Sequence, residues 1–225
     1  MAATGRLTVA AILVAAGDGQ RLGAGVPKAF CAVAGRTLLE HAALRFVAHT
    51  DVRDLVVVAP PLLVESAASL VPTAAVVAGG RTRQESVDRG LAALAEDVDA
   101  VLVHDVARPF VPAEVISRVV AALAGGADAV IPALPVVDTV KRVDDSDAVI
   151  ETLDRTALRA VQTPQGFRRC VLAAAHAGAD DAAVTDDAAL VEARGIRVVV
   201  VEGADELFKI TRPWDLALAE SVAQR

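Results

Sequence analysis

Cysteine is nearly missing from this chain: its 225 residues hold two, Cys31 and Cys170, with no CxxC pair. That excludes a disulfide framework and a cysteine zinc site, and makes a reducing cytoplasm the expected setting. Aromatic residues are equally scarce, 3% of the chain with no tyrosine, although 54% is hydrophobic. The core must therefore be built from Ala, Val, Leu and Ile, which suits a Val-rich parallel sheet under Ala/Leu helices. Basic residues fall short of acidic ones, leaving a net charge of −7. Non-specific nucleic-acid binding, which rests on neutralising phosphates, is excluded, whereas a small anion held in a local cationic pocket is not. No apolar run reaches the roughly 20 residues of a membrane span; the segment from Val119 to Val137 is broken by Gly125, Gly126, Asp128, Pro132 and Pro135. The apolar stretch after Arg6 imitates a secretory leader, but it runs straight into a glycine loop that cleavage would destroy. His41, His49 and His176 form no cluster, and no Ser/His/Asp or Cys/His grouping supports covalent catalysis.

What is present centres on Ala10 to Gly23, followed by Pro27-Lys28. Ala10 to Ala16 is apolar at every position, as strands covered on both faces are. Gly17 and Gly19 follow, free to approach a ligand and to take positive φ, and successive amides in such a turn form an anion nest. Arg21 and Lys28 place two cations beside it. The spacing is Gly-x-Gly-x-x-x-Gly, not the dinucleotide fingerprint, which disfavours a nicotinamide enzyme.

Further along, Leu38, Leu39, Ala42, Ala43, Phe46 and Val47 recur at helical spacing. Leu55–Ala59, Ala74–Ala78, Ala100–Val106, Ala129–Ala133 and Arg197–Val201 read as buried strands, with helices between them. The alternation predicts an α/β fold with a doubly wound, mostly parallel sheet, whose ligands bind outside the strand C-termini. Gly79-Gly80 and His104-Asp105 both sit at such ends. Asp105 is a candidate Mg²⁺ carboxylate, against a helix cap or an ion pair with Arg108. His104 points to the opposite strand face and reads as a packed histidine. Residues 136–159 break the pattern: a segment alternating from Val137 to Val143, a turn at Asp144–Asp147 and a returning strand predict a projecting β-hairpin arm. An arm unable to bury itself is expected to pack on a second copy of the chain. The chain returns to the body at Val161–Gln165, and helices are expected near Arg168–Ala177 and Asp186–Ala193, the second capped by Thr185 and stopped at Gly195. The whole, residues 1–225, reads as one domain.

Ala15 to Gly23 with Pro27-Lys28 resembles the signature of nucleotidyltransferases of the sugar-nucleotide pyrophosphorylase type. His104–Pro109, Asp138–Lys141, Gln162–Gln165, Thr185–Asp187 and Lys209–Pro213 are similar to the 2-C-methyl-D-erythritol 4-phosphate cytidylyltransferase family. The resemblance implies the Rossmann-like nucleotidyltransferase fold and transfer of a cytidylyl group from CTP to a polyol phosphate with Mg²⁺. It implies that Ala15, Ala16, Gly17, Gly19, Gly80, Ser86 and Ala107 hold the nucleotide, that Asp105 serves the metal, and that Arg21, Lys28 and Lys209 act on the transition state. Asp105, Arg108, Thr163 and Thr185 would meet the acceptor, with Thr139 and Arg155 reaching it from the neighbouring subunit of a homodimer. Two alternatives stand beside this: a ribitol phosphate cytidylyltransferase on the same fold, and a nucleotide-binding regulatory module without turnover.

Overall fold

The strands that read as continuously apolar form the middle of one sheet. The computed structural model describes residues 6–17, 26–177 and 186–224. Its elements run β1 (Val9–Val14), β2 (Ala32–Val33), β3 (Arg36–Thr37), α1 (Leu38–Val47), β4 (Val52–Ala59), α2 (Val64–Leu70), β5 (Ala75–Ala78), α3 (Arg83–Ala92) and β6 (Ala100–Asp105). After these come α4 (Ala113–Ala124), β7 (Ala129–Pro135), β8 (Lys141–Val143), β9 (Val149–Thr152), β10 (Arg159–Val161) and β11 (Gln165–Arg168). The chain closes with α5 (Arg169–Ala177), α6 (Asp187–Glu192), β12 (Val198–Glu202) and α7 (Pro213–Ala223).

The main sheet has eight strands, ordered β10-β7-β11-β6-β1-β4-β5, with β12 on β7. The β1/β4, β1/β6, β4/β5 and β7/β12 pairs are parallel. The chain winds outward from β1 through β4 and β5, then returns to lay β6 on β1's other side, so strand order reverses between β1 and β6. Register makes that reversal a level edge. Val14 stands opposite both Val58 and Asp105, and Ala59 opposite Ala78. The turns after β1, β5 and β6 therefore open on one rim.

Period-two alternation divides β1 between the two faces. Val9, Ala11 and Leu13 join a core with α1, α4 and α7, while Ala10 and Ile12 join a second core with α3, α5 and α6. Helix α4 buries Val115, Ile116, Val119, Val120 and Leu123; each is worth roughly 1.5–3 kcal/mol of transfer free energy when fully buried. Helix α1 is fixed by a capping box between Thr37 and Glu40 and buries the expected stripe except Val47, which is 47% exposed. The two-sided layering agrees with the doubly wound reading.

Three expectations need correction. Strand β11 was not expected: Gln165–Arg168 is antiparallel between β6 and β7, and only after it does α5 begin. Gly166 permits the crossing, because a Cβ there would meet Val119 Cγ1 at 2.4 Å. Strand β12 is half-exposed rather than buried, since only β7 pairs with it. The cap of α6 is Asp186, whose carboxylate accepts from the Ala189 amide, rather than Thr185, which lies outside the described residues. Gly195 does end that helix region, at φ +75°.

Strands β8 and β9 form a separate two-stranded sheet, every residue of which is exposed. The turn between them is held by Asp144, whose carboxylate accepts from the Ser146 and Ala148 amides. The hairpin expected from the alternation is present. Among the described residues no helix is long and apolar enough to cross a membrane.

Candidate active site

A cleft of about 600 Å³ opens on the rim where β1, β5 and β6 end. Of the residues singled out in the sequence, Ala15, Ala16, Gly17, Lys28, Gly80, Ser86, Asp105, Ala107 and Lys209 line it. Arg21, Gly19 and Thr185 lie outside the described residues. Gly17 does not take the positive φ expected of it. The glycines that the site's packing requires are Gly79, where a Cβ would meet Ala16 Cβ at 2.4 Å, and Gly80, where it would meet Glu85 Cβ at 2.2 Å. The turn after β5 thereby lies against the end of the β1 loop.

Helix α3 starts on the cleft. Thr82 caps it by accepting from the Glu85 amide, and the Ser86 hydroxyl accepts from the Gly80 amide while donating to the Thr82 carbonyl. Arg83, in the first turn, belongs to the glycine turn whose sequence suggests an anion or ribose contact without assigning this residue a role, and it lines the cleft. Its one sequence signal is a cation at a helix N-terminus, where the dipole disfavours it. Arg83 Nη2 lies 3.5 Å from Asp105 Oδ1, and Lys209 Nζ lies 2.7 Å from Asp105 Oδ2. Burial alone would raise the Asp105 carboxyl, but Arg83 and Lys209 outweigh it and hold it at about 2. Asp105 is thus ionised at neutral pH, paired with Lys209 and Arg83 rather than Arg108.

Arg108 turns away from the cleft lining and donates to the Leu207 and Val161 carbonyls. With the Ile210 amide donating to the Ala107 carbonyl at 2.8 Å, it anchors the segment that carries Lys209. Thr163 is buried below the rim. Its hydroxyl accepts from the Asp105 amide and donates to His104 Nδ1 at 2.9 Å, while His104 Nε2 donates to the Arg108 carbonyl at 3.0 Å. This chain fixes the Asp105 backbone. Thr139 and Arg155 stand at the hairpin base, where Arg155 donates to the Val137 carbonyl, and neither lines the cleft.

His104 is the packed histidine expected: wholly buried, with its ring 5.0 Å from that of Phe46. Burial pushes it down to about 4. A histidine depressed in the fold contributes stability that is full above its ordinary value of 6.5 and is lost as pH falls toward 4. Relative to a His104→Gln variant, the wild type should lose about 3 kcal/mol of unfolding free energy between pH 7 and pH 4. Urea titrations of both proteins in metal-free buffer check this, and a gap that stays constant with pH refutes it.

Among the described residues, four cations, Lys28, Arg81, Arg83 and Lys209, line the cleft against one carboxylate, Asp105. In a chain of net charge −7, that local inversion points to a polyanionic ligand. Among the described residues no three His, Cys, Asp or Glu side chains gather as a metal site. A hard cation bound through one carboxylate and a ligand's phosphates needs no such cluster, so the donor set fits Mg²⁺.

Comparison with known proteins gives the same site a lineage. The family profile described as 2-C-methyl-D-erythritol 4-phosphate cytidylyltransferase matches residues 9–225. A protein of that name from Frankia casuarinae is 52% identical over 218 residues, covering 96% of this chain and 82% of its own. The crystal structure of the enzyme so named from Thermus thermophilus superposes with a TM-score of 0.78 at 40% identity, covering 97% of this chain and all of the other. That of 4-diphosphocytidyl-2C-methyl-D-erythritol synthase from Anaerococcus prevotii gives a TM-score of 0.87 at 30% identity, over 97% of each chain. With its rim of cations at the reversal between β1 and β6, the chain belongs to the 2-C-methyl-D-erythritol 4-phosphate cytidylyltransferase family.

Proposed function

We propose that this chain transfers the cytidylyl group of CTP to 2-C-methyl-D-erythritol 4-phosphate in non-mevalonate isoprenoid synthesis. The observation that carries the reading is the cleft's charge, four cations to one acid among the described residues at the strand-order reversal. Family membership supports the choice of nucleotide and acceptor.

In the reaction a phosphate oxygen of the acceptor attacks the α-phosphorus of CTP. The bond from that phosphorus to the bridging oxygen breaks, and pyrophosphate leaves with the electron pair. No enzyme nucleophile is needed; positioning and positive charge supply the catalysis. Ala15, Ala16, Gly17, Gly80, Ser86 and Ala107, with Gly19, are assigned to hold the nucleotide. Lys28, Lys209 and Arg21 are assigned to the charge that develops on the phosphate oxygens. Asp105 would hold Mg²⁺ or another divalent cation, which when bound neutralises phosphate charge. Arg108 and Thr163 act by fixing the Lys209 segment and the Asp105 backbone. Thr185 belongs to the acceptor side, as do Thr139 and Arg155, supplied by the arm of a second copy. The chain is one cytoplasmic nucleotidyltransferase domain with residues 136–159 as its arm.

Pyrophosphate release tests the reading. The purified chain should release it from CTP with Mg²⁺ and methylerythritol phosphate, and release should stop in excess chelator. Equal release with ribitol 5-phosphate would overturn the acceptor assignment, and full activity in chelator the metal role.

A further inference from the structure

Behind the cleft, a line of buried charge runs from Asp105 into the second core. Arg83 Nη1 donates to Asp187 Oδ2 at 2.6 Å, and Asp187 Oδ1 accepts from His176 Nε2 at 3.0 Å. His176 Nδ1 lies 2.7 Å from the Asp88 carboxylate. The His176 and Asp187 side chains are 2% and 1% exposed. Helices α3, α5 and α6 each bring a member to this network, which the sequence did not indicate.

The Nδ1 contact to Asp88 is an ion-pair distance without hydrogen-bond geometry, so the hydrogen bond that holds the ring is the one from Nε2 to Asp187. Burial would lower its pKa, but Asp187 and Asp88 reverse that and raise it. Asp187 thus lies between the His176 ring and the Arg83 guanidinium, one carboxylate oxygen to each. A buried carboxylate is costly to retain, and a purely apolar α5/α6 contact would serve the core at least as well. What this carboxylate does that Leu could not is aim a guanidinium. Arg83 leaves the α3 first turn 30% exposed, and its other nitrogen faces Asp105.

We propose that Asp187 and His176 are positioning residues for the transfer reaction, a buried carboxylate–imidazole pair that fixes Arg83 against Asp105 on the cleft floor. This rests on the reading of Asp105 as part of the reaction site. Small displacements of a group near the reacting atoms can cost about 10²-fold in rate. Arg83→Gln should lower kcat/KM for CTP to that extent, and Asp187→Asn by roughly tenfold, mostly in kcat.

The test is a double-mutant cycle on the full chain. If Asp187 acts through Arg83, Asp187→Asn costs less than about twofold once Arg83 is Gln, because the two share one pathway. The same cycle with His176→Gln should also collapse, and it serves where Asp187→Asn fails to fold. Arg83→Lys, which keeps the charge, should recover part of the loss in kcat. Losses that multiply in the double variants mean a merely structural role and overturn the proposal. A fully active Asp105→Asn enzyme would remove the underlying reading instead. Multiplying losses beside an inactive Asp105→Asn would remove the positioning claim alone.

Discussion

Lys28→Ala should lower turnover by about 10²–10³-fold, the cost of one charge contact made to the transition state. Lys28 opens the short 3₁₀ turn Lys28–Phe30, whose path is held by buried neighbours and backbone hydrogen bonds. Ala29 is buried, the Phe30 amide donates to the Pro27 carbonyl, and the Leu38 amide donates to the Cys31 carbonyl. The backbone of the segment therefore keeps its path when the side chain is cut at Cβ, and the variant should still fold. Pyrophosphate release at saturating CTP, beside a melting curve, measures both. Turnover near that of the wild type in a folded Lys28→Ala protein would take the catalytic assignment away from this lysine.

The parts of the molecule legible in the sequence were those whose cause is local. A strand buried on both faces has to be apolar at every position, and β1, β4 and β6 are largely so. A site at strand ends has to place its polar residues immediately after such runs, so Lys28, Asp105 and the Gly79-Gly80 turn could be found by reading forward from a strand. Strand β11 could not be found this way. Its four residues, Gln165-Gly166-Phe167-Arg168, have no periodicity, and what makes them a strand is the space left between β6 and β7. The edge position of β12 has the same origin: four consecutive valines read as buried, but burial depends on a neighbour that the segment does not specify.

The charged network behind the cleft is a harder case. Arg83 and Asp187 are 104 residues apart, as are Asp105 and Lys209. No local pattern marks either pairing across that separation. Only the fold shows that Asp187 is buried and must be paired. Arg108 fails in the opposite direction. It follows Asp105 closely enough to invite an ion pair, yet the turn sends its guanidinium to the Leu207 and Val161 carbonyls. Proximity along the chain put it in the site, and the direction of the turn took it out of the lining.

Mixing two dead proteins should restore activity if the hairpin completes a neighbour's site. The arm exposes Val137 at 78%, Val149 at 61% and Ile150 at 59%. A lone two-stranded ribbon is marginal in water, so this one needs something to lie against, and a second copy is the proposed partner. Arg155 at its base is suited to a bidentate grip on a phosphate. In this chain its guanidinium meets the Val137 carbonyl, outside the lining of the chain's own cleft. Lys28→Ala and Arg155→Ala homodimers should each be nearly inactive, one lacking the cation in the cleft and the other the grip on the acceptor. In a mixed dimer one site keeps Lys28 and receives an intact Arg155, while the other carries both lesions. Random pairing makes about half the dimers mixed with one working site each, so about a quarter of wild-type activity should return. If each arm served its own cleft, every site in every pairing would still carry one lesion, and mixing would restore nothing. Absence of recovery under verified subunit exchange would therefore reject the shared site.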